Sequence, residues 1–372
     1  MPYHQNILIE CDLQKFSPRP SSVRGREFYK AITLASKVIE KRPLALLSHL
    51  LLKVEDGHLT MTGTNLQEAI MATLPWDSSS KFSPVTAEAP SLKEVARAYQ
   101  REDWVEVRSK GGSKLCIGKM EVETGKAEDF PVIPSPSGTS LTIDGLKTKL
   151  ERVLLARGED EYRRTLHGVY FDFPRSTLVA TNGHRMHLAP LPSQGKDLPA
   201  LLLPAEALYK CLGELEDQIM VSPEHIFFAL KGGKLLVRRI DEVFPEYTTV
   251  IPKDQKVIAE GPVGPCISLL ERACQLSRAN SSLGALVRFE KSKAEIGYGQ
   301  GTSMMEKALL KTTHPPSRTL LYGVNPYYFL DALKAMGEGE MTIATEGKED
   351  SPLSLTSADG MKAIVMPMRI EE

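Results

Sequence analysis

Two imidazoles, His184 and His187, stand three residues apart, the donor type a transition metal would use. Residues three apart on a strand point to opposite faces. No Asp, Glu or Cys lies close enough in sequence to complete a ligand set, so no metal is expected. The pairs Gly111-Gly112 and Gly232-Gly233, followed by Lys114 and Lys234, carry the ingredients of a phosphate loop. Neither fits G-x-x-x-x-G-K-[ST], and both sit between strand-like runs, so they predict hairpin turns instead. No G-x-S-x-G or H-E-x-x-H occurs, and no carboxylate pair stands apart from the ordinary surface charge. These residues contain no catalytic set, and we expect neither an enzyme nor a cofactor. One other pattern could do chemistry. Lys93, Arg97 and Arg101 recur every four residues, which on a helix stacks three cations on one face. Such a face could meet phosphates, or simply be solvated.

Composition narrows the class. The 372 residues carry 46 basic and 47 acidic side chains, a net charge of −1, so any nucleic-acid role must rest on where the charges lie. Apolar content of 42% and charge of 25% are ordinary for a globular protein. No apolar run is long enough to span a membrane, and residues 1–25 lack a signal-peptide pattern. Cys11, Cys116, Cys211, Cys266 and Cys274 are odd in number and scattered. They predict reduced thiols in a cytoplasmic protein rather than a disulfide frame.

A chain this long suits two to four domains, and an internal rhythm favours three. Val132-Ile133-Pro134, Val250-Ile251-Pro252 and Val365-Met366-Pro367 are spaced 118 and 115 residues apart. Thr64-Asn65 and Thr181-Asn182 are 117 apart. Within each interval the periodicity predicts helix, strands, helix, strands. In the first copy a helix near Glu27–Lys41 precedes a hairpin at Asp56-Gly57, and Leu92–Arg101 forms the second helix. In the second, Leu146–Ala156 is followed by strands and a helix opening at Pro204. In the third, Leu269–Ser277 is followed by a helix that Asn325-Pro326 introduces as N-cap and N1. The boundaries are 26–140, 141–255 and 256–372, after an N-terminal extension at 1–25. The apolar run ending in Met368-Arg369-Ile370 should be docked or kept available for a partner, since chain ends otherwise fray.

Three stretches resemble the beta sliding clamp family of bacterial replicative DNA polymerase. Ala180-Thr181-Asn182-Gly183-His184-Arg185-Met186 is similar to that family's A-T-D-G-H-R-L. Phe244-Pro245-Glu246-Tyr247 through Val250-Ile251-Pro252 is similar to its F-P-D-Y-x-x-V-[IL]-P. Val365-Met366-Pro367-Met368-Arg369-Ile370 is similar to its terminal V-M-P-M-R-[LI]. Arg42-Pro43, Leu52–Leu66 and Leu166-His167-Gly168-Val169 add to the match. The resemblance implies an α+β fold of three similar DNA-clamp domains, each with two helices packed on β-sheets, forming half of a ring. Two chains would join head to tail as a homodimer around double-stranded DNA, without reading its sequence. The replicative DNA polymerase, a clamp loader and other clamp-binding proteins would be partners.

The family's partner-peptide pocket, carried onto matching positions, would use Leu166, Thr181, Gly183, His184, Arg185, Met186, Pro245, Val250, Ile364, Val365, Met366, Pro367, Met368 and Arg369. Arg42 would face DNA by the same match; Lys93, Arg97 and Arg101 are proposed from helix spacing alone. The chain departs from the pattern at Asn182, at Thr248-Thr249 in place of Arg-Arg, at Arg164-Thr165 in place of aromatics, and at Glu206 in place of a basic residue. The pocket floor is thus kept and its rim altered. A clamp-like scaffold that binds partners without encircling DNA is the alternative, and an enzyme hidden in a repeat scaffold is a third.

Overall fold

A computed structural model of the chain describes residues 19–39, 45–111, 113–159, 163–279 and 284–370. The expectations placed on Cys11, Arg42 and Gly112 lie outside the described residues. In the first third, β1 (Ser22–Val23) leads into α1 (Gly25–Ala35). Strands β2 (His49–Glu55), β3 (His58–Thr64), β4 (Glu68–Pro75) and β5 (Val85–Glu88) follow. Helix α2 (Ala89–Ala98) precedes β6 (Val105–Lys110), β7 (Lys114–Ile117), β8 (Met120–Glu123) and the short β9 (Gly125–Lys126).

The middle third opens with β10 (Thr139–Thr142) and α3 (Leu146–Leu154). Then come β11 (Gly168–Asp172), β12 (Thr177–Thr181), β13 (Arg185–Pro190) and β14 (Leu201–Pro204). Helix α4 (Ala205–Cys211) leads to β15 (Leu215–Val221), β16 (His225–Leu230) and β17 (Gly233–Arg238). The last third has β18 (Lys256–Pro262), α5 (Val263–Ala279), β19 (Gly284–Phe289), β20 (Ala294–Gln300), β21 (Ser303–Thr312) and β22 (Leu320–Val324). It closes with α6 (Pro326–Met336), β23 (Glu340–Thr345), β24 (Leu353–Ser357) and β25 (Lys362–Val365). Strand, helix, four strands, helix, three strands is the order in the middle and last thirds, and the first third differs only by the added two-residue strand β9. The fold is α+β.

Local chemistry explains these elements. Asp56 and Gly57 take φ of 50° and 72°, the left-handed pair that closes a tight hairpin, and Glu55 lies opposite His58. Asn325 caps α6, its side chain accepting from the N–H groups of Tyr327 and Tyr328. The apolar stripe Leu146, Leu150, Val153 and Leu154 is the buried face of α3. Helix α2 stops at Ala98, short of the expected Arg101. Its end is fixed by packing: Gly25 donates its N–H to the Glu102 carbonyl oxygen at 3.2 Å, and a side chain at Gly25 would collide with the Tyr99 carbonyl.

The three Val-x-Pro triplets, which set the rhythm in sequence, are not structural equivalents. Val365 closes β25, Val250 ends a short helical turn, and Val132 lies in irregular chain. The Thr64 and Thr181 turns, by contrast, are equivalent, since they end β3 and β12, corresponding strands of the first two thirds.

The chain divides into two compact units, one within Met1–Asp144 and Glu206–Arg238, the other within Gly145–Ala205 and Arg239–Glu372. The first holds a four-stranded sheet, β1-β6-β7-β8, and a nine-stranded sheet, β10-β15-β16-β17-β4-β3-β2-β5-β9. The second is built on twelve strands, β14-β11-β12-β13-β25-β24-β23-β18-β21-β20-β19-β22. The middle third contributes to both: β17 pairs with β4 in one unit and β13 with β25 in the other. Each large sheet therefore joins strands from two thirds of the chain.

Candidate docking surface

Short polar side chains build the turn that delivers Arg185 and Met186 into β13. Thr181 Oγ1 donates to the Arg185 carbonyl oxygen at 2.7 Å and accepts from the Gly183 N–H at 3.1 Å. Asn182 Oδ1 accepts from the N–H groups of His184 and Arg185 at 2.9 and 3.0 Å. Gly183 has φ of 89°, a left-handed value that glycine adopts without steric cost.

The open edge of β13 is taken by the chain's last strand. β25 pairs with it antiparallel, placing Arg185 opposite Val365 and Met186 opposite Ile364. Beyond β25, Met366 N–H donates to the His184 carbonyl at 2.9 Å and Met368 N–H to that of Gly323 at 2.7 Å. The backbone of the tail is thus tied down. The Met366 and Met368 side chains remain 41% and 53% exposed.

Beneath this seam lies an apolar cluster of Val179, Met186, Leu188, Leu202, Phe244, Tyr247 and Ile364. The Phe244 ring stacks on Tyr170 with centroids 4.6 Å apart. Ile251 returns the chain onto the same cluster, leaving Pro245 and Val250 exposed between. Tyr247 donates its hydroxyl to Asp172 Oδ2 at 2.9 Å, and Arg175 Nη1 is 3.0 Å from the same oxygen. Burial first, and then the Asp172 carboxylate, raise the Tyr247 pKa, so its hydroxyl stays a donor.

Arg185 anchors α6 to β13. Its guanidinium donates to the Asp331 carboxylate and to the Leu155 carbonyl oxygen, and lies 4.6 Å from the Tyr328 ring centroid. Burial raises the Asp331 pKa against the opposing pull of Arg185. His184 stacks on the other participant, Tyr328, with centroids 6.0 Å apart. His187 is fully buried in β13, its Nδ1 2.8 Å from the Arg152 carbonyl oxygen, and burial pushes its pKa down to about 4. The two histidines thus serve separate surroundings. Among the described residues no group of three His, Cys, Asp or Glu side chains could hold a metal ion.

The structure brings together most residues of the expected pocket. Thr181, Gly183, His184, Arg185 and Met186 lie on or before β13, and Ile364, Val365 and Met366 lie alongside. Pro245 and Val250 flank the cluster; Pro367, Met368 and Arg369 continue the tail toward β22. Leu166 is buried in a helical turn before β11 and is not a member of that cluster. Tyr170, Asp172, Arg175, Tyr328 and Asp331 complete the surroundings without a spacing signal of their own. Phe244 and Tyr247 stood inside a recognisable stretch, and their aromatic character was the available clue.

The cation positions are distributed differently. Lys93 and Arg97 lie on α2, and Arg101 is exposed in the turn beyond it, off the helical face. Among the described residues none of the three pairs with a carboxylate. In the corresponding helices, Lys210 Nζ lies 2.7 Å from Glu206 and Lys334 Nζ 3.0 Å from Glu271. Of these three helices, therefore, only the one in the first third leaves its cations without a carboxylate partner among the described residues.

Two family models match the chain: the N-terminal domain of the DNA polymerase III beta subunit over residues 22–134, and its central domain over residues 140–246. A beta sliding clamp of Pseudomonas putida is 22% identical over 368 residues, covering 94% of this chain and 99% of that protein. The crystal structure of the DNA polymerase III subunit beta from Pseudomonas aeruginosa aligns with a TM-score of 0.79 at 22% identity, over 94% of this chain and 99% of that one. The DNA polymerase sliding clamp of Bacillus subtilis aligns with a TM-score of 0.81 at 19% identity and the same coverage. At such identities the structural likeness establishes the fold.

Proposed function

Because the chain belongs to the DNA polymerase III beta subunit family, we propose that it is a DNA sliding clamp. Two copies join head to tail into a ring around duplex DNA and tether the replicative polymerase, the clamp loader and other partners. The observation that carries this reading is the threefold repetition of strand, helix, four strands, helix and three strands, with the short β9 added in the first copy. Three domains, 26–140, 141–255 and 256–372, after the extension 1–25, supply half of the ring. A closed ring holds DNA by topology, so it needs neither catalysis nor the many phosphate contacts that make ordinary binding tight and salt-sensitive. The modest charge of Lys93, Arg97 and Arg101, with Arg42, suffices, and weak contacts favour sliding. The protein acts in the cytoplasm, on the nucleoid during replication.

The β13–β25 seam is the docking groove for partner peptides. Its polarizable Met366 and Met368 side chains adapt to several related sequences, above a rigid aromatic floor. Thr248-Thr249 leaves one wall without cations, so binding there depends on the peptide's apolar anchors rather than on the charge of its flanks. The pairing of Lys210 with Glu206 and of Lys334 with Glu271 favours a second reading, a scaffold that does not encircle DNA and stays monomeric.

Fluorescence anisotropy with a labelled clamp-binding peptide tests the groove. Replacing the peptide's hydrophobic anchors with alanine should weaken binding by about tenfold or more, as should Met366→Ala with Met368→Ala. Equal affinity for the intact and the alanine peptide would remove the docking reading.

A further inference from the structure

The turn that ends β3 repeats the turn that ends β12, bond for bond. Thr64 Oγ1 donates to the Glu68 carbonyl oxygen at 2.8 Å and accepts from Leu66 N–H at 3.0 Å. Asn65 Oδ1 accepts from the N–H groups of Gln67 and Glu68 at 3.1 and 2.8 Å. Here β17 takes the place of β25: Ala69 lies opposite Leu236, as Met186 lies opposite Ile364. Arg238 N–H donates to the Gln67 carbonyl at 2.9 Å, the counterpart of the Met366 to His184 bond of the same length. The first unit therefore holds a second seam built like the proposed groove.

Its face is apolar. From Ala69 and Leu236 the ladder runs on through Phe227 and Met220, and Met71, Ile133 and Met220 pack there while only partly buried. A cavity of about 140 Å³ opens on this face between Pro136, Met220, Phe227 and Lys234. A dry cavity of about 150 Å³ holds a benzene ring, so the volume suits one leucine or phenylalanine side chain. Lys234 and Arg238 stand two residues either side of Leu236 and share its face. Their cross-strand neighbours Ala229, Met71 and His225 carry no carboxylate, and among the described residues neither cation is paired with one. An apolar slot framed by two unneutralised cations selects a partner of opposite charge.

We propose that the β4–β17 seam is a second docking surface, which takes an acidic peptide segment and inserts one of its apolar side chains beside Phe227. The assignment rests on the docking reading of the β13–β25 seam, and its test separates the two. The full chain is titrated with acetyl-Asp-Glu-Leu-Asp-Leu-Phe-amide, with stoichiometry from calorimetry and location from hydrogen exchange. Two sites per chain are expected, with added protection over residues 218–238 and 362–369. Lys234→Glu with Arg238→Glu should weaken the first by about tenfold or more and spare the second; Met366→Ala with Met368→Ala should do the reverse. Protection over 218–238 alone leaves this proposal standing and removes the other. Protection confined to 362–369, or binding at 218–238 that survives charge reversal, overturns it. A fall in the mass of the free protein on charge reversal assigns the face to a contact between copies of the chain, which also overturns it.

Discussion

His187 shows how one buried side chain ties stability to pH. Its imidazole titrates near 6.5 in the unfolded chain and near 4 in the fold, because burial disfavours the charged form. Below pH 6.5 the unfolded state takes up a proton that the folded state refuses. The contribution is thus complete above pH 6.5 and lost progressively as pH falls toward 4, amounting to about 3 kcal/mol. His225, whose pKa is lowered by burial and then by Arg238, acts in the same direction. Urea unfolding across that window should show stability falling with acidification, and His187→Gln should flatten the slope while lowering stability at pH 7.5. An unchanged slope in that variant would contradict the assignment. Nearby, Tyr247→Phe removes the hydroxyl that serves the buried Asp172. It should cost about 1–3 kcal/mol, read from the same denaturation curves, and loosen the Phe244-to-Ile251 segment that walls the seam.

At the scale of elements, Leu66 and Gly183 occupy the same place in two copies of one turn. Leu66 has φ of 77° and is 48% exposed, a backbone value that costs a residue with a Cβ about 1–2 kcal/mol. Leu66→Gly should therefore not lower stability, despite glycine's entropy cost of about 0.5–1 kcal/mol. A loss beyond about 1 kcal/mol in thermal unfolding would mean that Leu66 packs more firmly than its exposure indicates. The Asn325 cap of α6 makes a complementary case, since Asn325→Ala should cost about 1 kcal/mol.

Elements of this kind were legible because their residues act locally. Asp56-Gly57 dictates a hairpin and Asn325-Pro326 a helix start, whatever surrounds them. The end of α2 was not legible, because it is set by the close approach of Gly25 to Tyr99 and Glu102, far apart in sequence. The Val-x-Pro triplets misled as landmarks because their proline fixes a locally extended backbone but neither strand pairing nor burial. Of the seam, the Thr-Asn-Gly turn and the terminal strand could be read directly. Tyr170, Tyr328 and Asp331 could not, since only the fold brings them to β13.

Within each unit a large sheet runs from one third of the chain into another. The β4–β17 and β13–β25 pairings join strands more than a hundred residues apart, which no local pattern announces. They give each unit a continuous hydrogen-bonded backbone. The proposed clamp should load onto a nicked circular duplex in the presence of its loader and remain bound through gel filtration. Cutting the circle with a single-site nuclease is the most direct test. Release on linearisation, largely independent of salt, is the predicted result. Retention on the linear DNA, lost only as salt is raised, would mean direct phosphate attachment and would contradict the encircling mechanism.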